Sequence, residues 1–389
     1  MADQSNRKKV SLRERLQRPG ARKLLALDGG GIRGVLSLEI LRKLESILRT
    51  ASGRADYRLA DYFDYISGTS TGGIIAAGLA IGMSVDEILK FYEESGAQMF
   101  EKAKLRDRLK YHYQSEPLAR MLKAVFGETT ELGSEAVETL LMLVMRNATT
   151  DSPWPISNNP WAKYNDPGHP TCNLKFPLWQ LVRASTAAPT YFPPEVILVN
   201  GREFIFVDGG VTTYNNPAFQ MFLMATVDRY WKNAPPPERG WPTGTDKMLI
   251  VSVGTGTSPG ANEQLSPDEM HLLFNASTIP SALMFAALNE QDFLCRVFGD
   301  CVAGDPIDRE VDAMIPSAGP LKHKLFRYVR YNAELTQGGL GQLGCGDIEP
   351  QEVQKLDSID AIPALRQVGR AVASRSVAED HLNLAVFRP

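Results

Sequence analysis

The chain has 389 residues, of which 43% are hydrophobic and 22% are charged, and its formal net charge is −3. That length allows one large domain or two, and the near-neutral charge argues against general binding of nucleic acid or of anionic surfaces. No apolar stretch approaches the roughly 20 residues needed to cross a bilayer, so we expect a soluble, cytoplasmic protein.

The N-terminal segment is strongly basic. Residues 1–23 contain two acidic side chains and eight basic ones: Arg7, Lys8, Lys9, Arg13, Arg15, Arg18, Arg22 and Lys23. We interpret residues 1–22 as a flexible, solvated tail. The alternative is a tail that docks transiently on anionic lipid, which would give the protein a peripheral contact with membranes.

A triple-glycine loop follows the first predicted strand, Lys23–Leu27 (KLLAL). Apolar residues then recur at helical spacing, so the loop would lie at a helix N-terminus, where the dipole favours negative charge. The unshielded N–H groups of Gly29, Gly30 and Gly31 would stabilise an oxyanion there. The positions that predict the helix are Leu36, Ile40, Leu44, Ile47 and Leu48.

The same loop has two other interpretations. Gly29, Gly31 and Gly34 satisfy GxGxxG, the pattern of dinucleotide-binding folds. Those folds require a second strand that ends in an acidic residue about 20 positions later, whereas residues 50–58 (TASGRADYR) are polar and turn-like. A plain glycine turn between a strand and a helix is the remaining alternative.

The pentapeptide GTSTG places Ser70 between Gly68 and Gly72. Residues 65–67 predict the end of a buried strand, and residues 73–82 (GIIAAGLAIG) predict a helix of small residues. In a GxSxG elbow the chain turns so sharply from strand to helix that side chains beside the serine would clash, and glycine avoids the clash. Ser70 is therefore the candidate nucleophile, although an ordinary glycine turn would give the same pentapeptide.

The stretch from residue 107 to residue 177 is less regular. Leu118, Met121, Leu122 and Val125 predict one amphipathic helix. Residues 151–170 are rich in Pro, Asn and Trp and predict a long loop. Such a loop is either a lid over an acyl pocket or an inert insertion.

A serine hydroxyl needs a base to take its proton, and Asp208 is the candidate. It follows two apolar strands joined by an Asn-Gly turn, which predicts a hairpin. Asp208 would thus lie at a strand end, in a loop that Gly209 and Gly210 keep open, although DGG alone is more typical of a turn. The predicted hairpin strands are residues 196–199 and 204–207.

Five further elements are predicted towards the C-terminus. Asn216 and Pro217 are typical of a helix start, as cap and first residue. The elements are a helix at residues 218–232, a strand at 248–253, a helical stretch at 268–298, a strand at 325–331 and a closing helix at 362–382.

Four motifs together resemble those of the patatin-like phospholipases, in particular bacterial members. These are serine acyl hydrolases that use a Ser-Asp dyad instead of a triad. The resemblance covers about residues 23–257, and the motifs occur in the order of the family. They are DGGGIRG at 28–34, GTSTG at 68–72, STAAPTYFPP at 185–194 and DGGVTTYNNP at 208–217.

The resemblance implies a three-layer α/β fold, in which helices flank a central, mostly parallel sheet and the elbow lies between a strand and a helix. It implies one catalytic domain over residues 23–389, with a motif-bearing core at 23–257 and a mainly helical completion at 258–389. The implied site residues are Ser70 (nucleophile), Asp208 (base), Gly29, Gly30, Gly31 and Arg33 (oxyanion hole), and Gly68, Gly72, Gly209 and Gly210 (elbow and loop support).

The implied activity is hydrolysis of acyl esters in membrane phospholipids or other acyl lipids, of the phospholipase A or lysophospholipase type, without metal or cofactor. The sequence contains no calcium loop, and its four cysteines form no CxxC pair and no disulfide framework. Some bacterial members of the family are activated by cyclic nucleotides and degrade the host membrane during phage infection. A cyclic nucleotide is therefore a further expected partner, although no residue identifies its pocket.

Three alternatives remain open. An α/β-hydrolase triad is the runner-up, because three histidines follow Ser70 in the right chain order. An acyltransferase would use the same serine with an acceptor other than water, and a storage protein would keep the fold without catalysis. The five histidines are His112, His169, His271, His323 and His381.

Overall fold

The computed structural model describes residues 10–99, 113–258 and 272–389. The strands are β1 (Arg22–Leu27), β2 (Tyr65–Thr69), β3 (Leu140–Asn147), β4 (Ser152–Ser157), β5 (Glu195–Val199), β6 (Arg202–Asp208), β7 (Met248–Val253), β8 (Asp300–Ala303) and β9 (Arg327–Tyr331). They form a nine-stranded sheet of order β5-β6-β3-β2-β1-β7-β9-β8, with β4 paired to β3. The run from β3 to β8 is parallel, and β4, β5 and β6 pair antiparallel.

Helices cover the sheet and complete the described part of the chain. They are α1 (Leu12–Gln17), α2 (Gly34–Ser52), α3 (Leu59–Tyr62), α4 (Thr71–Ala80), α5 (Val85–Met99), α6 (Ser115–Phe126), α7 (Leu178–Ser185), α8 (Ala218–Thr226), α9 (Leu272–Phe298), α10 (Gln337–Gln342), α11 (Pro350–Gln354), α12 (Ile362–Ser376) and α13 (Glu379–Leu382). Among the described helices, none combines the length and the apolar character that a bilayer crossing requires.

The alternation of side chains along β1 shows why the fold has three layers. Leu25 and Leu27 pack into a hydrophobic cluster with α2, α4 and α12, whereas Leu24 and Ala26 pack into a second cluster with α8. Successive residues of a strand point to opposite faces of the sheet, and all six residues of β1 are buried. Both faces of the sheet are therefore covered, and the predicted three-layer α/β fold is confirmed.

Most predicted elements are present. The strands predicted at residues 23–27, 65–67, 248–253 and 325–331 correspond to β1, β2, β7 and β9, and the predicted hairpin is β5 and β6. Both residues of its turn have positive φ, 51° at Asn200 and 76° at Gly201, as a type I′ turn requires. The predicted helices after the glycine loop, after the elbow and around Leu118 are α2, α4 and α6.

The stretch that is irregular in sequence, residues 107–177, contains two strands that its sequence pattern does not predict. The loop predicted at 151–170 is wrong at its start, because β4 pairs with β3. Pro153 and Pro155 make β4 hard to predict, because proline lacks the N–H that a strand normally donates. They are tolerated here because they occupy alternate positions of an edge strand, where the backbone nitrogen of both can point away from the partner strand. β3 is a central strand, so residues 140–147 belong to the sheet itself, and the inert insertion predicted for residues 151–170 stays an open alternative. The lid stays a prediction, and 107–112 lies outside the described residues.

One predicted helix ends early and another is interrupted. The helix predicted to reach residue 232 ends at Thr226, because Val227 adopts an extended conformation with φ −82° and ψ 124°. A short 3-10 turn follows, and its Trp231 packs into the core. The closing helix is likewise interrupted at Val377, which is extended with φ −92° and ψ 112° between α12 and α13. In both places a β-branched residue takes the extended conformation that such side chains favour.

Part of the predicted flexible tail is folded. α1 and the first residue of β1 lie within it, and Arg15 and Arg22 are buried. The Arg22 guanidinium donates to three main-chain oxygens and lies 4.7 Å from the centroid of the Trp241 ring. From residue 10 to residue 22 the chain therefore differs from the solvated tail that we expect from sequence, and residues 1–9 lie outside the described ranges.

The last third of the chain extends the same sheet. β8 and β9 continue its parallel run beyond β7. α12 packs against α2, where the Arg366 guanidinium lies 2.6 Å from the Glu39 carboxylate. The mainly helical completion that we expect after residue 257 thus also contributes two strands.

Candidate active site

Ser70 lies at a sharp turn between β2 and α4. Its backbone angles are φ 55° and ψ −124°, a positive φ that residues other than glycine rarely adopt. A Cβ on Gly68 would lie 2.0 Å from the Gly72 carbonyl oxygen, and a Cβ on Gly72 would lie 2.3 Å from that of Leu27. The two glycines of the GxSxG pattern are thus required by the close approach of main chain to main chain.

The carboxyl ends of two strands meet beside Ser70. β2 pairs with β3 as far as Thr69, opposite Val144, and β6 pairs with β3 from Asp208, opposite Met145. β4 occupies the other edge of this part of β3, and a strand has only two hydrogen-bonding edges. β2 and β6 therefore share one edge and meet end to end, which brings Asp208 to the elbow.

The two predicted catalytic side chains are in contact. Ser70 Oγ donates a hydrogen bond to Asp208 Oδ2 at 2.6 Å, and Gly210 N–H donates to Asp208 Oδ1 at 2.7 Å. Burial raises the pKa of Asp208 to about 6, although these two hydrogen bonds and the charge of Arg183 act to lower it. A carboxyl with this pKa is mostly ionised at neutral pH and is more basic than an ordinary aspartate, so it can accept a hydroxyl proton.

The triple-glycine loop lies against the elbow. A Cβ on Gly29 would lie 3.2 Å from Ser70 Cβ and 2.3 Å from Asn215 Oδ1. The Gly29 N–H donates to the Asn215 carbonyl oxygen at 3.1 Å, so in this conformation it cannot hold an oxyanion, contrary to prediction. The N–H groups of Gly30 and Gly31 have no acceptor among the described residues, and these two remain the candidates.

Arg33 follows the glycine loop, in a short 3-10 turn that leads into α2. Burial lowers the pKa of its guanidinium to about 10, while the carboxylate of Asp28 acts in the opposite direction. Arg33 therefore stays charged at neutral pH. Its Nε has no hydrogen-bond partner within the described ranges. A half-buried cation that follows the candidate donors in the chain would favour negative charge at the site.

A buried ion pair, which no sequence pattern indicates, fixes the start of the glycine loop. Arg330, in β9, donates to the two oxygens of Asp28 at 2.9 and 2.5 Å and to Ser252 Oγ at 2.7 Å. Burial alone would lower the pKa of Arg330, but the adjacent Asp28 carboxylate outweighs burial and raises that pKa. The strand on the far side of β7 thereby holds the residue from which the loop begins.

The histidines that the structure describes do not belong to this site. His169 and His381 contact hydroxyl groups elsewhere, and His323 is exposed. His112 and His271 lie outside the described residues. In the described part of the chain, His, Cys, Asp and Glu side chains form no group of three or more that could hold a metal ion.

The fold and the geometry together define an α/β protein that carries a serine at a strand–helix elbow. A buried aspartate accepts a hydrogen bond from that serine. The family model described as patatin-like phospholipase matches residues 25–222. That match covers half of the chain, and it contains every site residue predicted from the sequence. The chain belongs to the patatin-like phospholipase family, in agreement with the resemblance of its motifs.

Plant patatins are among its relatives. Patatin-17 of Solanum cardiophyllum is 33% identical over 247 residues, which cover 60% of this chain and 60% of that protein. Patatin-like protein 1 of Arabidopsis thaliana is 29% identical, and the match covers 72% of this chain and 75% of that one. The match thus covers less than two thirds of the length of Patatin-17, the first of these two relatives.

Two solved structures are similar to the chain at low sequence identity. Human GIVD cytosolic phospholipase A2 is 13% identical with a TM-score of 0.40, and the match covers 93% of this chain and 62% of that one. VipD from Legionella pneumophila is 14% identical with a TM-score of 0.36, and the match covers 90% of this chain and 67% of that one.

Proposed function

We propose that this chain hydrolyses acyl ester bonds of lipids, as a phospholipase A or lysophospholipase does, with Ser70 as nucleophile and Asp208 as base. The observation that carries the proposal is the 2.6 Å hydrogen bond from Ser70 Oγ to the buried Asp208 carboxylate. A serine nucleophile requires a base within about 3 Å of its hydroxyl. Membership of the patatin-like phospholipase family supports a lipid as the substrate.

The proposed reaction has two halves. In acylation, Asp208 accepts the hydroxyl proton while Ser70 Oγ attacks the ester carbonyl carbon, and the N–H groups of Gly30 and Gly31 hold the resulting oxyanion. Protonated Asp208 then donates its proton to the oxygen of the leaving alcohol. In deacylation, Asp208 accepts a proton from water, the hydroxide attacks the acyl group, and Ser70 recovers its proton as the fatty acid leaves.

Arg33 would act on this reaction through its charge. The tetrahedral intermediate carries a full negative charge beside a loop that follows the buried Asp28 and precedes Arg33. Coulomb attraction between Arg33 and the oxyanion would stabilise that charge, and the opposing charge of Asp28 is itself paired with Arg330. We therefore assign Arg33 to oxyanion stabilisation, together with Gly30 and Gly31.

Three sequence predictions find no support in the described residues. Acyl transfer to an alcohol, docking of the basic N-terminal segment on lipid and activation by a cyclic nucleotide all stay predictions. The Ser-Asp-His alternative also stays a prediction: His323 and His381 do not contact Ser70 or Asp208, and His271 lies outside the described residues.

The experiment that tests this function is release of fatty acid from phospholipid, galactolipid and triacylglycerol, offered separately as vesicles or emulsions. We expect fatty acid and the matching deacylated lipid in equal amounts from at least one class, because each turnover cleaves one ester bond. The Ser70→Ala variant supplies the blank, and added short alcohol separates hydrolysis from acyl transfer. Folded wild-type protein that releases fatty acid from none of the three would refute the proposal.

The pH dependence of hydrolysis should report the base. Because Asp208 must be ionised to accept the proton, and burial raises its pKa to about 6, kcat/KM should fall as the pH drops through about 6. An ordinary aspartate would place this loss near pH 4. The measurement is kcat/KM for a soluble short-chain ester from about pH 4 to pH 9, with circular dichroism to exclude unfolding. A flat profile between pH 5 and pH 8 would contradict the assignment.

A further inference from the structure

The hydroxyl of Ser185 connects the elbow to the neighbouring strand. Ser70 N–H donates to Ser185 Oγ at 3.0 Å, and Ser185 Oγ donates in turn to the Val144 carbonyl oxygen at 2.6 Å. Ser185 is the last residue of α7 and is fully buried. Its hydroxyl thus accepts one hydrogen bond from the main chain of the elbow and donates one to the main chain of β3.

This hydroxyl lies at a break in the sheet. β2 pairs with β3 only as far as Thr69, and the last residue of β6, Asp208, lies opposite the next position of β3. Ser70 lies between the two strand ends, and its positive φ is a conformation that persists only where the surrounding structure holds it. Without a partner strand at this position, the Ser70 amide depends on the Ser185 hydroxyl for its hydrogen bond.

The main chain just after Ser185 binds Asp208, the proposed partner of Ser70. Asp208 N–H donates to the Ala187 carbonyl oxygen at 3.0 Å. Positions 185 and 187 therefore bind the main chain of Ser70 and of Asp208, within one turn at the end of α7. We propose that Ser185 is a positioning residue, which fixes Ser70 Oγ at hydrogen-bond distance from Asp208. This inference rests on the proposed function and assigns a role that the sequence motif does not indicate.

The packing around Ser185 decides which variants are informative. A Cβ on Gly73 would lie 3.2 Å from Ser185 Oγ, so a larger side chain will be crowded. Ser185→Ala removes the hydroxyl without adding an atom. Ser185→Thr and Ser185→Val add the same bulk, but Thr keeps a hydroxyl, so their comparison separates hydrogen bonding from crowding. Thr186→Ala is the matched control, because the Thr186 hydroxyl bonds to the Arg183 carbonyl oxygen at 3.0 Å, away from the elbow.

The test measures kcat, KM and the pH profile of ester hydrolysis for these variants. We expect kcat to fall about tenfold to a hundredfold in Ser185→Ala and Ser185→Val with KM unchanged, as for a reacting group displaced by about 1 Å. The acidic limb of the profile should move to higher pH, because Asp208 loses a hydrogen bond from Ser70 that favours its charged form. Ser185→Thr should keep most of kcat, and Thr186→Ala all of it.

Thermal melting establishes that the variants compared are folded. Wild-type kcat and pH profile in Ser185→Ala would overturn the inference, and so would a Thr variant that loses as much kcat as the Val variant. If Ser185→Val does not fold, Ser185→Ala and its pH profile decide alone. A wild type without hydrolase activity would refute the proposed function and this inference together, whereas an active wild type with an unchanged Ser185→Ala refutes only the inference.

Discussion

Replacing Ser70 with alanine is expected to lower kcat/KM for lipid-ester hydrolysis by at least about a thousandfold. Alanine offers no oxygen to attack the ester and no site for the acyl group. The remaining rate would come from the oxyanion donors and from substrate binding, which the substitution leaves in place. Because the change removes a single atom and keeps Gly68 and Gly72, the elbow should fold as in the wild type.

A matched control and a second readout make this result specific. Ser46→Ala removes the same atom from an exposed position of α2, and we expect it to leave the activity unchanged. A fluorophosphonate probe should label the wild type and Ser46→Ala but not Ser70→Ala, because the probe reacts only with an activated serine.

Three outcomes would contradict the role of Ser70. Labelling of Ser70→Ala at the wild-type rate would show that another nucleophile reacts. A wild type that is folded but not labelled would favour a protein that keeps this fold for storage or binding. Activity above about a tenth of wild type in Ser70→Ala would likewise be too high for an enzyme that has lost its nucleophile.

The elbow can be predicted from sequence because its constraints are local. Gly68 and Gly72 approach main-chain atoms that lie within a few residues or at the end of the adjacent strand, where a Cβ would be 2.0 to 2.3 Å from a carbonyl oxygen. Most of the steric reasons for the glycines of the pentapeptide therefore lie close to it in the chain or in the fold. The hairpin before Asp208 is equally local, because its Asn-Gly turn fixes both the loop length and the register.

The contact between Ser70 and Asp208 depends on an element that the sequence hides. β2 and β6 meet end to end only because both pair with β3. The sequence of β3 (LLMLVMRN) is an apolar run without alternation, as expected for a strand buried on both faces, and the prolines of β4 follow it. Neither the strand nor its register can be predicted from such a pattern. The sequence therefore indicates the contact between Ser70 and Asp208 only through its resemblance to the family.

The state of individual N–H groups is also invisible in sequence. Three consecutive glycines predict three equivalent donors, yet Gly29 is bonded to the Asn215 carbonyl oxygen and only Gly30 and Gly31 remain. In the same way, Asp28 pairs with Arg330 across 302 positions of the chain. Such partners are set by tertiary packing, which brings β9 to the loop, and no local propensity indicates them.

Replacing Asp208 with asparagine should lower kcat about a thousandfold to ten-thousandfold. Asparagine keeps the shape, and its oxygen can still accept the hydrogen bond from Gly210, but the amide nitrogen carries protons and cannot accept the one from Ser70. KM should change little, and the loss of activity near pH 6 should disappear. Asp228→Asn, at an exposed position, is the matched control and should behave as the wild type in all three measurements.

The same variant should be more stable than the wild type above pH 6. Burial raises the pKa of Asp208 to about 6, roughly two units above an ordinary aspartate, so the ionised carboxyl destabilises the folded state at higher pH. Asparagine avoids that cost, and we expect its free energy of unfolding to exceed that of the wild type by on the order of 1 to 3 kcal/mol at pH 8. The difference should vanish below about pH 4, where the carboxyl is protonated in both states.

Urea unfolding at pH 8 and at pH 4 measures this difference. Higher stability at pH 8 together with lost activity would mean that the carboxylate is retained for proton transfer at the expense of the fold, as a stability–activity trade-off predicts. Lower stability at pH 8 would mean the opposite: the Asp208 carboxylate would support the loop through its bonds to Ser70 and Gly210. The loss of activity would then reflect a damaged site, and the variant would no longer support Asp208 as the base.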